Sequence, residues 1–169
     1  MNFLAIQEIK VVQLDLWVVR QVWGNSNFDF ATSSARGFSG GLLRVWNNSF
    51  FIKSMVVSFD NYIIVEGVWQ PTKSPLMFIS VYAPQSLEDK RRIWISLMLC
   101  VVKWGGPCVM VGDFNEVTDA SERFGSIFNQ SCATYFNKFI SDAELEEVSF
   151  GGFAFTWTDK WATKMSKLD

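Results

Sequence analysis

The 169-residue chain contains no histidine. It therefore lacks the side chain that most often serves as a general base near neutral pH and as a metal ligand. Cysteine is scarce: Cys100, Cys108 and Cys132 lie far apart, with no C-x-x-C among them. A zinc site is excluded on such ligands. An odd, scattered set reads as reduced thiols packed in the interior, so an intracellular location, nucleus or cytoplasm, is expected. There is no basic excess either, with 15 Lys and Arg against 17 Asp and Glu and a formal net charge of -2. No overall field recruits nucleic acid, so any contact with DNA is expected to be weak and local. No stretch reaches the ~18 uncharged apolar residues of a membrane span. The first residues lack the basic region and apolar core of a signal peptide, so no membrane association is expected. Phosphate-cradling P-loops, dinucleotide fingerprints and internal repeats are also missing.

What is present is apolar and aromatic. Hydrophobic residues make up 49% of the chain and aromatics 16%, with eight Trp and sixteen Phe, which excludes a disordered chain. The length fits one domain, residues 1–169. Apolar runs and turn residues predict a strand over Phe3 to Ile6 and a helix over Val11 to Trp23, with Leu14, Trp17, Val18 and Val22 on one face. A strand over Phe28 to Thr32, a turn at Ser39-Gly40-Gly41 and a strand over Leu42 to Trp46 follow. Phe50 to Phe59 and Tyr62 to Trp69 are β-rich around a hairpin signal at Asp60-Asn61, and Leu76 to Tyr82 is a further strand. The period then changes. Ser86 to Lys103 carries Trp94, Leu97, Met98 and Val101 at helical spacing, with Ser86 as N-cap and Glu88 and Asp89 in the first turn. Gly105-Gly106-Pro107 ends that helix. A second amphipathic helix is expected over Ala133 to Ala143, an alternating segment over Phe153 to Thr158, and the beginning of another element at Lys164 to Asp169. Hairpin-linked strands with helices at intervals fit two packed sheets covered by helices better than a doubly wound parallel sheet.

The most informative residues are Gly112-Asp113-Phe114-Asn115, at the end of the buried strand Cys108-Val109-Met110-Val111. In an extended segment Asp113 and Asn115 share a face, and Phe114 turns to the core. A carboxylate beside a carboxamide holds a water or a phosphate oxygen, the equipment of phosphoester hydrolysis. Glu8, Asp113, Asn115 and Asp169 stand at strand ends, and oxygen donors of this kind suit Mg²⁺ or Mn²⁺. Such an ion polarises a phosphoryl oxygen and stabilises the leaving oxyanion. Tyr82, at another strand end, would donate a hydrogen bond to a phosphate. Each of these residues also has a plainer reading. Asp-x-Asn is ordinary turn chemistry, Glu8 a solvated charge, and Tyr82 a core residue. Arg36, Arg91, Arg92 and Arg123 read as surface charge.

Taken in order, several segments resemble one family. They are Gln7-Glu8-Ile9-Lys10, Ser39-Gly40-Gly41-Leu42, Val81-Tyr82-Ala83-Pro84, Gly112-Asp113-Phe114-Asn115-Glu116-Val117, Glu122-Arg123-Phe124-Gly125-Ser126, Phe155-Thr156-Trp157-Thr158 and Ser166-Lys167-Leu168-Asp169. The chain is similar along essentially its whole length to the endonuclease/exonuclease/phosphatase superfamily, and most like the endonuclease domain of plant LINE-type retrotransposons. That resemblance implies a four-layer α/β/β/α sandwich of two mixed sheets. It implies Mg²⁺-assisted in-line hydrolysis of a DNA phosphodiester, a nick that primes reverse transcription by a reverse transcriptase fused in the full-length element. Residue by residue, Glu8 would ligate the metal, Asp113 orient or activate the attacking water, Asn115 hold it or the scissile phosphate, Tyr82 contact the phosphate, and Asp169 supply a late-strand acid. Domains of that family begin with a strand bearing an Asn in an "NxRG"-like segment and end with a strand bearing an Asp-His pair. Neither is found in this sequence. The expectation is therefore a sandwich without its first and last strands and with little activity. A non-catalytic nucleic-acid or partner-binding fold and a superfamily phosphatase acting on inositol or small phosphoesters stand as alternatives.

Overall fold

The computed structural model of the chain describes residues 1–9, 14–33, 40–148, 152 and 154–168. Two compact units are distinguished. The first comprises residues 1–82 and 106–112, and the second comprises residues 83–105 and 113–169.

In the first unit, β1 (Phe3–Ile9), β2 (Asp29–Ser33) and β3 (Gly41–Trp46) form an antiparallel sheet with β3 in the centre. A second sheet runs in the order β4 (Phe51–Ser58), β5 (Tyr62–Trp69), β6 (Ser74–Tyr82), β7 (Cys108–Asp113). The β4–β5 and β5–β6 pairs are antiparallel hairpins, the first turning at the Asp60-Asn61 signal. Every residue of β3 is buried, and its alternation explains how. Leu42 and Trp46 face the second sheet, in a core with Phe51, Ile63, Val65 and Phe78. Leu43 and Val45 face the opposite way, against Val19 and Trp23 of the helix α1 (Leu16–Trp23). A strand covered on both faces reads as a nearly continuous apolar run, which is why Leu42 to Trp46 is legible in the sequence. Arg44 interrupts that run. It shares the inter-sheet face of Leu42 and Trp46, is 3% exposed, and lies over the rings of Phe3 and Phe78. Its Nη1 donates to Ser80 Oγ at 3.3 Å, and its Nε has no hydrogen-bond partner among the described residues. Burial lowers its pKa to about 10.

Two expectations in this unit are corrected. Helix α1 starts at the Asp15 N-cap, whose carboxylate accepts from Trp17 N. Val19 and Trp23, four residues apart, take the inner stripe against Leu43 and Val45, while Trp17, Val18 and Val22 are exposed. The expected face is therefore displaced, and the expected helical residues 11–13 lie outside the described residues. Likewise Gly40-Gly41 is not a turn, and Ser39 lies outside the described residues. Gly41 is the first residue of β3, and Gly40 is packed so closely that a Cβ on it would stand 2.1 Å from the Glu8 Cα.

In the second unit, α2 (Leu87–Trp104) begins at the Ser86 cap and ends at Gly105 in the left-handed conformation, as its sequence predicts. Helix α3 (Gln130–Asp142) is capped by Asn129, so it starts a turn earlier than expected. The two helices meet through Trp94, which stacks on Phe139 at 5.0 Å and tilts against Phe136 and Phe114. A small antiparallel sheet joins β8 (Arg123–Phe124), β10 (Met165–Ser166) and β9 (Trp157–Thr158) in that order. The alternating segment contributes only Trp157 and Thr158 as strand among the described residues, which do not include Phe153. Among the described residues no helix is long and apolar enough to cross a membrane. The three cysteines are half-buried rather than fully interior, and burial raises the Cys108 thiol to about 11.

Candidate active site

The sequence-predicted residues fall into two clusters, one in each unit. In the first unit Tyr82 Oη donates to Glu8 Oε1 at 2.9 Å, joining residues 74 apart in the chain. Glu8 sits at an irregularity of β1, where the register against β3 shifts between Ile6 and Ile9, and its φ is +57°. A left-handed backbone at a non-glycine residue costs free energy and persists only where the surroundings enforce it. Gly40 belongs to those surroundings, because only a residue without Cβ can approach the Glu8 backbone so closely. The neighbouring Gln7 donates Nε2 to Val81 O at 2.8 Å and so bridges the two sheets. Gly112 closes the same junction. With φ +143°, a Cβ there would stand 1.9 Å from Val81 O and 2.7 Å from Gln7 Nε2. Asn61 then fixes Tyr82 from the hairpin side. Its carbonyl accepts from Tyr82 N, and its Nδ2 donates to Tyr82 O. In the sequence Asn61 reads only as a turn residue.

In the second unit Asp113 and Asn115 are brought together, though not by strand alternation. Asn115 lies beyond β7 with φ +50°, and its N–H donates to Asp113 Oδ1 at 2.7 Å. This is an Asx turn, in which a side-chain oxygen stands in for the backbone acceptor of a turn. Asn tolerates the left-handed region better than most residues. Phe114 turns to the interior as expected, 5.5 Å from the Phe136 ring. Asn115 Nδ2 donates to Ala83 O, and its Oδ1 accepts from Gln85 Nε2 at 2.7 Å. The Asn115 carbonyl accepts from Lys90 Nζ, and Lys90 pairs with Glu116 Oε2 at 2.9 Å. Arg123, expected as surface charge, is half-buried, with Nη2 3.8 Å from Glu116 Oε1. Sequence reasoning assigns no role to Lys90, Glu116 or Gln85. Lys90 does carry a signal: it falls at the start of the stripe Lys90, Ile93, Trp94, Leu97 on the buried side of α2, where a lysine needs a partner.

Asp169 and Arg36 lie outside the described residues. Arg92 pairs with Glu88 and Asp89 on its own helix, and Arg91 stacks over Tyr135.

The donor set bears on which metal would fit. Among the described residues no three Asp, Glu or Cys side chains gather into an all-protein cage. Glu8 is exposed, and a carboxylate accepts several bonds beyond the one from Tyr82. Mg²⁺ keeps much of its water and is held by one or two carboxylates, so it fits such a residue, whereas zinc, which wants three or four protein ligands, does not.

No protein-family model matches the chain, and no curated protein matches it in sequence. Solved structures do match in fold. The AP endonuclease LMAP from Leishmania major gives a TM-score of 0.59 at 12% identity, over 84% of this chain and 57% of that one. The human Nocturnin catalytic domain, with bound sulfate, gives 0.57 at 9% identity, over 84% and 57%. The mannosyl-6-phosphatase from Bacteroides thetaiotaomicron gives 0.51 at 11% identity, over 73% and 52%. The chain spans little more than half the length of these structures. Such neighbours are members of the endonuclease/exonuclease/phosphatase superfamily, and the mixed α/β arrangement of sheets and helices is the sandwich fold of that group.

Proposed function

We propose that the chain is a phosphodiester hydrolase acting on DNA, of the kind with which LINE-type retrotransposons nick their target before reverse transcription. The observation that carries this reading is the Glu8–Tyr82 hydrogen bond, made across 74 residues by two side chains that the family motifs name. The Asx turn joining Asp113 to Asn115 supports it from the second unit. Glu8 would hold Mg²⁺ or Mn²⁺, and the ion would supply positive charge to a phosphoryl oxygen and the leaving oxyanion. Asp113 would orient or activate the attacking water. Asn115 would hold that water or the scissile phosphate. Tyr82 steadies Glu8 and would turn its hydroxyl to a phosphate oxygen when substrate arrives. The net charge of -2 offers no general attraction to DNA, so binding would be weak, local and further weakened by salt. A reverse transcriptase on the same polypeptide, in the nucleus or cytoplasm, would extend the nick.

The test is nicking of supercoiled plasmid with Mg²⁺, run beside release of phosphate from inositol phosphates and small phosphoesters. Expected is slow DNA nicking that stops with a chelator and falls by at least ~10²-fold in Asp113→Ala. Nicking that survives the chelator or the substitution, or hydrolysis of small phosphoesters without DNA scission, would overturn the proposal.

A further inference from the structure

We infer that Lys90 is a positioning residue for Asn115, holding it in its left-handed turn through a buried ion pair with Glu116; this rests on reading Asn115 as a site residue. The Asn115 backbone is clamped at both ends. Its N–H is taken by the Asp113 carboxylate and its carbonyl by the Lys90 ammonium. The two Lys90 bonds, to Asn115 O and to Glu116 Oε2, tie helix α2 to the residues that follow β7. Both charged side chains are nearly excluded from water, with 6% and 4% exposure, and Arg123 stands near the other oxygen of Glu116.

Stability alone does not account for this pair. Lys90 occupies the stripe that continues as Ile93, Trp94 and Leu97, where an apolar side chain of equal length would pack without surrendering a charge's hydration. Replacing a buried ion pair by apolar residues is often neutral or favourable. What an apolar residue cannot do is bind a carbonyl. An ammonium group offers three donors at the end of a flexible stem, and here two of them fix a backbone oxygen and the adjoining carboxylate. Without that grip the Asn115 carbonyl is released, in a backbone region that disfavours residues with a Cβ. Its carboxamide, set between Ala83 O and Gln85 Nε2, would then lose its aim.

The experiment compares wild type with the double variant Lys90→Met/Glu116→Gln, which removes both charges of the pair and keeps an amide oxygen at position 116 as an acceptor near Arg123. Thermal unfolding should change little or shift upward. Amide exchange at Asn115 should quicken at least about tenfold, while exchange at Leu97 in the same helix stays as in wild type. Nicking kcat should fall by ~10- to 100-fold with KM within about twofold, because a misplaced group costs rate more than binding. Unchanged exchange at Asn115 in the folded variant would overturn the inference, whatever the nuclease result. Absence of nicking by wild type would overturn the proposed function and leave the exchange measurement to decide on Lys90.

Discussion

The two units weight two devices differently. In the first, backbone packed against backbone works beside side-chain bonds from Gln7 and Asn61. Gly40 and Gly112 let strands approach where any Cβ would collide, and the resulting arrangement holds Glu8 and Tyr82. The second has one such close approach, at Gly125 against Thr163 O, and otherwise leans on side chains that capture backbone. Asp113 takes Asn115 N, Glu122 takes Thr118 N, Asp159 takes Thr163 N and Lys164 N, and Asn129 takes Cys132 N. Their treatment of buried charge differs too. The first unit leaves the Arg44 guanidinium on aromatic faces with no carboxylate partner among the described residues, while the second pairs Lys90 with Glu116. Steric closure is unforgiving but needs no ionised group. Side-chain capture is adaptable but, where a carboxylate does it, depends on protonation state.

This contrast can be attacked at its strongest point first. Gly112→Ala should cost ~5 kcal/mol or more, since its new methyl collides with a carbonyl rather than with a flexible side chain alone. Denaturant unfolding measures it, and a loss below about 1 kcal/mol would mean that the strands yield easily. Trp94→Ala in the second unit should cost ~3–5 kcal/mol by emptying the space between Phe114, Phe136 and Phe139, again read from denaturant midpoints. Arg44→Met should do the reverse and stabilise by ~1–4 kcal/mol, because it removes a buried charge that desolvation already drives toward its neutral form. A drop in melting temperature would instead make the cation a net contributor to stability. The smallest effect concerns acid. Burial alone would raise the Glu122 carboxyl, but hydrogen bonds from Thr118 and Lys167 outweigh it and hold it below its ordinary value of 4.5. A depressed carboxylate contributes stability that is present above pH 4.5 and lost as pH falls through the folded-state value. Glu122→Gln should therefore flatten the decline of stability below that pH, and an unaltered profile would assign the acid sensitivity elsewhere.

The order of strands and helices is legible because buried strands and amphipathic helices write their periods into the chain. The run Leu42 to Trp46 announces a strand covered on both faces, and Ser86 with Gly105 brackets α2. The phase of α1 is not legible, because tryptophan and valine occur on all its sides and only packing on Leu43 and Val45 distinguishes Val19 and Trp23. Of the site, residue types come from the motifs, but their geometry does not. The left-handed backbone of Glu8 stands against Gly40, a contact that no local propensity encodes, whereas that of Asn115 is foreshadowed only by the turn preference of Asp-x-Asn. Lys90 is signalled by its place in the buried stripe of α2, but its partner Glu116, 26 positions away, is not.

The Gln7 amide has one more consequence. Side chains along a strand alternate in direction, so sliding β1 by a single position would send Gln7 outward and bring the Glu8 carboxylate toward Val81 O, oxygen against oxygen. The wrong alignment is thus penalised by electrostatic repulsion as well as by a missing bond. One glutamine works as a proofreading device for the assembly of the two layers.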